Sequence, residues 1–337
     1  MKKETTSGII VFAILLLLAG GVVWYTKFYK PVNSTPQFSS SNPTGNPSGY
    51  STDTIDIKKS GSEYIAALYV EGTIENANTT YNQAWLLSTI SKLKNDSNNV
   101  AIAMYVNSPG GGVYQADEVY FALKDYKSTG KKLYVYMGPL AASGGYYISC
   151  PADKIYANRN TLTGSIGVIA GQLIDATELL DNIGITIEAI HSGRNKLMGN
   201  FYSEITYEQE EIMQSISDEC YEQFVSIVAN ERNLDVDYVK NLADGRVYTA
   251  SQALKNSLID GIRDWDNMIS EIRSVAEVPD CKVITFRYEH KQTFRESVFG
   301  IVTDLQNKSL ASKLGIPVSV LNDLEKFNTY PAYLYRQ

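Results

Sequence analysis

The stretch Val100-Ala101-Ile102-Ala103-Met104-Tyr105-Val106-Asn107-Ser108-Pro109-Gly110-Gly111-Gly112-Val113 decides the fold class of this 337-residue chain. Val100–Val106 is a short apolar run of strand length, and a proline with three glycines breaks it. Helix-period sequence then runs from Tyr114 to Lys127. A second apolar run, Leu133–Met137, leads into Gly138-Pro139-Leu140-Ala141-Ala142-Ser143-Gly144-Gly145-Tyr146. Strand, glycine-rich turn, helix and strand in this order imply parallel pairing with covering helices.

The alternation continues on both sides. Tyr64–Val70, Lys154–Ala157, Ile166–Ala170 and Ile185–Ile190 read as strands. Asn82–Leu93, Gly144–Cys150 and Asp175–Asn182 read as helices. A long helix is expected from Thr206 to about Glu231. Thr206 and Gln209 have capping-box spacing, and Ile212, Ile216, Cys220, Phe224 and Val228 recur every fourth residue. No internal repeat is present, so the body reads as one α/β unit rather than two copies of a half.

The N-terminal region has a different character. Between Glu4 and Lys27 lie 22 residues without a formal charge. As a helix they reach about 33 Å, enough for a bilayer core of about 30 Å. Trp24 and Tyr25 stand where an interfacial aromatic belt belongs. A cleaved signal peptide is the rival reading, but no A-x-A site and no cysteine for lipid attachment follow the run. The expected organisation is a cytoplasmic tail over 1–7, a transmembrane anchor over 8–26 and a disordered tether over 27–61, rich in Pro, Ser, Thr and Asn. A catalytic body over 62–290 and a C-terminal extension over 291–337 complete it. A single N-terminal span by default leaves its short tail in the cytosol, which places the body on the extracytoplasmic side of a bacterial cell membrane.

Charge and composition remove several function classes. The chain has 30 basic and 37 acidic side chains, with the acidic excess confined to the residues beyond 60. An acidic body without a basic stripe is a poor nucleic-acid binder. Three cysteines in unrelated contexts encode neither a disulfide framework nor a zinc site. With only two histidines, acid–base chemistry falls mainly to Lys, Asp, Glu or Tyr. No cofactor or metal is expected.

Each glycine-rich turn has a bland reading and a chemical one. Gly110-Gly111-Gly112 is an ordinary strand–helix turn, or a set of backbone amides fixed in advance to hold a developing oxyanion. Ser143 is a helix N-cap, or an exposed nucleophile beside amide dipoles. Read one at a time, the bland versions prevail.

Taken together, the strings Tyr105–Gly112 and Ala141–Tyr147 resemble those of the signal peptide peptidase A family. So do Leu162-Thr163-Gly164-Ser165-Ile166-Gly167-Val168 and Ala243-Asp244-Gly245-Arg246-Val247-Tyr248-Thr249. The four matches keep the family's order across about residues 63–275. The resemblance implies a Clp protease/crotonase-like α/β fold of repeated β-β-α and βα units, preceded by one transmembrane helix. It further implies a serine endopeptidase with a Ser-Lys dyad that cleaves remnant signal peptides and other membrane-released peptides, assembled as a homo-oligomeric ring. Residue by residue, it makes Ser143 the nucleophile, Lys196 the general base and Ser165 the hydroxyl that orients the lysine. The oxyanion hole falls to the amides of Gly111 and Gly144, with Gly110 and Gly112 as near alternatives.

The dyad sets a physical requirement. A free lysine titrates near about 10.4, so acting as a base at about pH 7–8 means favouring the neutral amine by roughly 3–5 kcal/mol. Apolar walls can do this, and Leu197 and Met198 are at hand. Arg194 can add like-charge repulsion unless it points away. His191 is a competing base, and Asp117, Glu118 and Asp153 read as solvated acids. Asp244 and Arg246 can hold a turn through an ion pair. The three cysteines read as small buried hydrophobes. A crotonase-like acyl-thioester enzyme and a non-catalytic membrane scaffold stand as alternative functions. The aromatic, proline-punctuated end Thr329–Gln337 is expected to be extended and to add as a strand along a cleft, a frayed terminus being the plainer reading.

Overall fold

The structure is a computed structural model and describes residues 62–290 together with the backbone of 332–334. All of these belong to the second of two units, Tyr50–Gln337. Strands β1 (Tyr64–Glu71), β2 (Asn99–Ser108) and β4 (Lys132–Ala142) pair in parallel, with Tyr69, Tyr105 and Tyr136 in line across them. Their nearly unbroken apolar sequences suit parallel strands covered on both faces.

Alternate side chains sort into two cores. Leu68, Met104 and Val135 enter the larger, which packs on α1 (Gln83–Asn95), α2 (Val113–Lys127) and the end of α5 (Tyr207–Arg232). Ile65, Ala101, Ala103 and Tyr134 enter the smaller, under α8 (Trp265–Val275). The α/β class expected from the alternation is the class observed.

Strand β4 changes partners along its length, just ahead of Ser143. Tyr134–Met137 pair with β5 (Lys154–Ala157), whereas Leu140–Ala142 pair with β6 (Leu162–Gly164). Strand β7 (Val247–Thr249) then adds antiparallel to β6. On the outer strands, β9 (Lys282–Phe286) adds to β1 and β8 (Gly261–Ile262) to β5. A separate pair joins β3 (Gly110–Gly112) antiparallel to β10 (Ala332–Leu334), the strand addition expected of the C-terminal end.

Several boundaries differ from expectation for identifiable reasons. The strand expected at Ile166–Ala170 occurs earlier, at Leu162–Gly164, because the left-handed residue Ser165 (φ +50°) ends it. The expected strand Ile185–Ile190 does not form, and Ile185, Ile187 and Ile190 are exposed. Alternation marks strand propensity, but a strand also needs an edge to pair with. Helix α3 (Gly144–Tyr147) is a single turn, and α4 (Thr177–Asn182) starts two residues late. Thr206 caps α5 by accepting from the Gln209 N–H, while the full capping box lies at Thr249 and Gln252, ahead of α7 (Ala250–Lys255). Only the later half of α5 is buried, at Phe224, Val225, Val228 and Ala229. Ile216 in its earlier half is exposed. No helix among the described residues is long and apolar enough to cross a membrane. The tail, anchor and tether expected over 1–61 lie outside the described residues.

Candidate active site

Ser143 joins β4 to α3 with φ +54° and ψ −118°, a backbone conformation that a non-glycine residue keeps only when its surroundings impose it. The restraints are visible. Its N–H donates to the Gly164 carbonyl at 2.7 Å, and its carbonyl accepts from the Tyr147 N–H at 2.9 Å. Tyr147 is fully buried and donates its hydroxyl to Asp117 Oδ1 at 2.6 Å, while Gln223 donates to the Tyr147 oxygen at 2.8 Å. Close approach explains Gly145, since a β-carbon there would lie 2.8 Å from the Ser108 carbonyl oxygen.

The N-cap reading of Ser143 does not hold, because its side chain caps nothing. The residue is 1% exposed, and Oγ has no hydrogen-bond partner among the described residues. Buried hydroxyls almost always find partners, so one held in a strained turn without any is poised for another use.

The glycine strand divides its amides between two edges. Ile74 donates to the Gly110 carbonyl and accepts from the Gly112 N–H, both at 2.8 Å. The Gly110 N–H donates to Ser108 Oγ at 3.1 Å. Because N–H and C=O directions alternate along a strand, Gly111 presents both groups to the opposite edge. Of the three glycine amides, that of Gly111 alone is turned outward. A β-carbon on Gly111 would stand 1.9 Å from the Ile74 carbonyl oxygen, so glycine is obligatory there.

Ser165 is buried at 7% exposure, and its N–H donates to the Arg246 carbonyl at 2.8 Å. Gly245 N–H donates to Ile166 O at 3.1 Å, and Arg246 Nε bonds both Asp244 carboxylate oxygens, at 2.7 and 2.8 Å. The guanidinium holds the Asp244 carboxyl down to about 2. The ion pair therefore holds a turn, as expected, and that turn supports Ser165. Sequence reasoning missed the role of Tyr248, whose ring lies where a β-carbon on Gly164 would approach to 2.6 Å.

Lys196 is exposed, in a turn over 194–199, and Leu197 and Met198 are only partly buried. Arg194 points away, pairing with Glu208, which also accepts from Asn195 Nδ2 at 3.1 Å. Within one chain, then, Lys196 and the Ser143 hydroxyl are not hydrogen-bonded. His191 is exposed too, with Nδ1 3.2 Å from the Gly193 carbonyl oxygen. All three acids read as solvated are tied into the fold: Asp117 accepts from Tyr147, Glu118 from Gln83 Nε2 at 3.0 Å, and Asp153 from the Leu133 N–H at 2.8 Å. Cys150 and Cys281 are buried, and burial pushes both thiols up, while Cys220 is only partly covered.

Residues 125–279 match Peptidase family S49. A protein of Enterococcus faecium named "Putative signal peptide peptidase SppA" is 34% identical over 230 residues, 66% of this chain and 67% of its own length. The Synechocystis protein named "Putative protease slr0021" is 33% identical over 283 residues, 83% of this chain and 99% of its own. Among solved structures, a ClpP1 mutant from Listeria monocytogenes is similar over 60% of this chain and 94% of that one, at 17% identity and a TM-score of 0.41.

Proposed function

This chain belongs to peptidase family S49, the signal peptide peptidase A family of serine peptidases, and from that premise we propose that Ser143 is its nucleophile and Lys196 its general base. The observation that carries the reading is the Ser143 hydroxyl, buried, unbonded and set in a strained turn. Membership in a serine peptidase family also displaces the acyl-thioester and scaffold alternatives.

The chemistry follows from the groups present. An extended peptide lies antiparallel to β3, and its scissile carbonyl oxygen takes the amides of Gly111 and Gly144. Ser143 Oγ attacks the carbonyl carbon while its proton passes to the neutral Lys196 amine. Negative charge grows on the carbonyl oxygen, where fixed donors stabilise it better than reorienting water does. Lys196 then protonates the departing amine, which leaves an acyl-enzyme. Water, deprotonated by the same lysine, releases the acid and restores Ser143. Ser165 accepts a hydrogen bond from the lysine and keeps the amine in line.

Lys196 reaches Ser143 between copies of the chain in a homo-oligomeric ring. Three features support this: the exposed Lys196 turn, the unbonded Ser143 hydroxyl and the uncovered isoleucines at 183, 185, 187 and 190. A neighbouring copy laid over that segment removes water from the amine, the condition under which it accepts a proton. Residues 8–26 anchor the body to a bacterial membrane with the site on the extracytoplasmic side. The substrates are remnant signal peptides and other peptides released from the bilayer.

Complementation tests this. Full-length Ser143→Ala and Lys196→Ala proteins should each lose about 10³-fold or more in peptide hydrolysis. Co-assembled, they should recover part of it, because some sites pair an intact serine with an intact lysine. Activity retained in Ser143→Ala overturns the nucleophile, and no recovery on co-assembly overturns the shared site.

A further inference from the structure

We propose that Ser108 is a positioning residue of the oxyanion hole: its hydroxyl fixes the peptide plane ahead of Gly111, and its carbonyl lies against the start of the helix that carries Gly144. The inference deepens the peptidase reading and rests on it. Ser108 ends β2, opposite Ala141 of β4, beyond a register shift that begins after Val106. It is fully buried, and its Oγ accepts from the Gly110 N–H at 3.1 Å.

The geometry of trans peptides shows what that bond does. In each peptide unit C=O and N–H point in opposite directions. Ile74 N–H holds the Gly110 carbonyl, so the N–H of the same unit, on Gly111, must point into the groove. Ile74 O likewise holds the next unit through Gly112. In the unit before, Pro109–Gly110, the N–H is held by a side chain, Ser108 Oγ, rather than by Ile74. Gly110 lies at φ +102°, where glycine rotates at low cost, and Pro109 has no N–H with which to compete. Released from Ser108, the Gly110 amide is a buried donor in search of another acceptor, and rotation about Gly110 carries the Gly111 N–H off its line.

Ser108 also lies close to Gly145, the residue after the second donor. A β-carbon on Gly145 would stand 2.8 Å from the Ser108 carbonyl oxygen and 3.3 Å from its Cβ. The backbone next to Gly144 thus rests on the same residue that fixes the glycine strand. One buried serine sets the spacing of both amides.

The test uses the full-length, assembled protein with Ser108→Ala and Ser108→Thr, the latter keeping an Oγ. Two quantities are measured: steady-state peptide hydrolysis and the second-order rate at which a fluorophosphonate labels Ser143. Ser108→Ala should lower both kcat and the labelling rate by about ten- to hundredfold, with KM within about threefold of wild type. Ser108→Thr should recover most of the labelling rate. Labelling of Ser108→Ala at the wild-type rate overturns the proposal, as does a loss confined to KM or an equal loss in Ser108→Thr. A Ser108→Ala protein that fails to assemble while Ser108→Thr assembles assigns the hydroxyl to folding and overturns it as well. Wild-type labelling at a residue other than Ser143 instead overturns the nucleophile, which keeps the two failures apart.

Discussion

Tyr333 lies directly across an antiparallel strand pair from Gly111, the residue whose backbone groups face that edge. In such a pair the two residues exchange N–H···O=C bonds, so the Tyr333 carbonyl meets the Gly111 amide. That carbonyl belongs to the Tyr333–Leu334 peptide bond, and the same amide is the proposed oxyanion donor. The active protein is expected to trim its own end there. Intact-mass spectra should show loss of residues 334–337 in wild type and none in Ser143→Ala. An untrimmed wild-type chain that still hydrolyses other peptides would count against this register.

Adjacent glycines should differ sharply in tolerance. Gly111→Ala drives a β-carbon to 1.9 Å from backbone at Ile74, which has no room to withdraw. Activity should fall more than about a hundredfold, and stability should fall by about 1–3 kcal/mol. Gly112→Ala meets only the end of the Gln115 side chain, at 2.1 Å, and the φ of −63° suits alanine. That variant should keep activity within about threefold once Gln115 swings aside. Hydrolysis rates and urea midpoints of the two proteins decide it.

Support beneath Ser165 is expected to appear in catalysis. Gly164 has φ +88°, and a β-carbon there would meet the Tyr248 ring at 2.6 Å. Gly164 also accepts the Ser143 N–H, so Gly164→Ala disturbs nucleophile and lysine-holding hydroxyl together. A loss of about a hundredfold or more in kcat is expected. Ser165→Ala, which leaves the backbone in place, should lose about ten- to hundredfold. Equal losses in the two proteins would mean that the turn contributes nothing beyond its hydroxyl.

Acid stability should depend on Asp260. Burial alone would raise its carboxyl, but Arg232 Nη1 at 2.9 Å and the Ile155 N–H at 2.8 Å outweigh burial and hold it below the ordinary value. A lowered folded pKa gives a contribution that is full above the unfolded value of about 3.9 and is lost as pH falls through the folded value. Asp260→Asn leaves Arg232, whose side chain is 9% exposed, without its carboxylate. It should cost about 2–4 kcal/mol at pH 7. Urea midpoints between pH 2 and 7 should converge toward acid for the two proteins. A gap that stays constant down to pH 2 would refute this linkage.

Much of this architecture is legible in local sequence because its cause is local. Apolar runs at 64–70, 100–106 and 133–137 give the central strands within a few residues, and the glycine-rich turns stand where close approach demands them. Three things were not legible. The partner switch of β4 is a tertiary event, so the strand at Leu162–Gly164 was misplaced by several residues. The isoleucines at 185–190 alternate like a strand, but periodicity does not supply an edge for them. The Ser108 hydroxyl carries no motif of its own, since its role emerges only after Ile74 is seen to occupy the neighbouring peptide units.

The unequal settings of Ser143 and Lys196 bear on when this peptidase becomes dangerous. The alcohol is buried inside one chain, whereas the lysine lies exposed in a turn and makes no hydrogen bond to it. Under the shared-site reading, a newly made chain stays inactive until it meets another copy. Hydrolysis then switches on with the density of copies, so the cell governs digestion through expression level as well as through substrate supply.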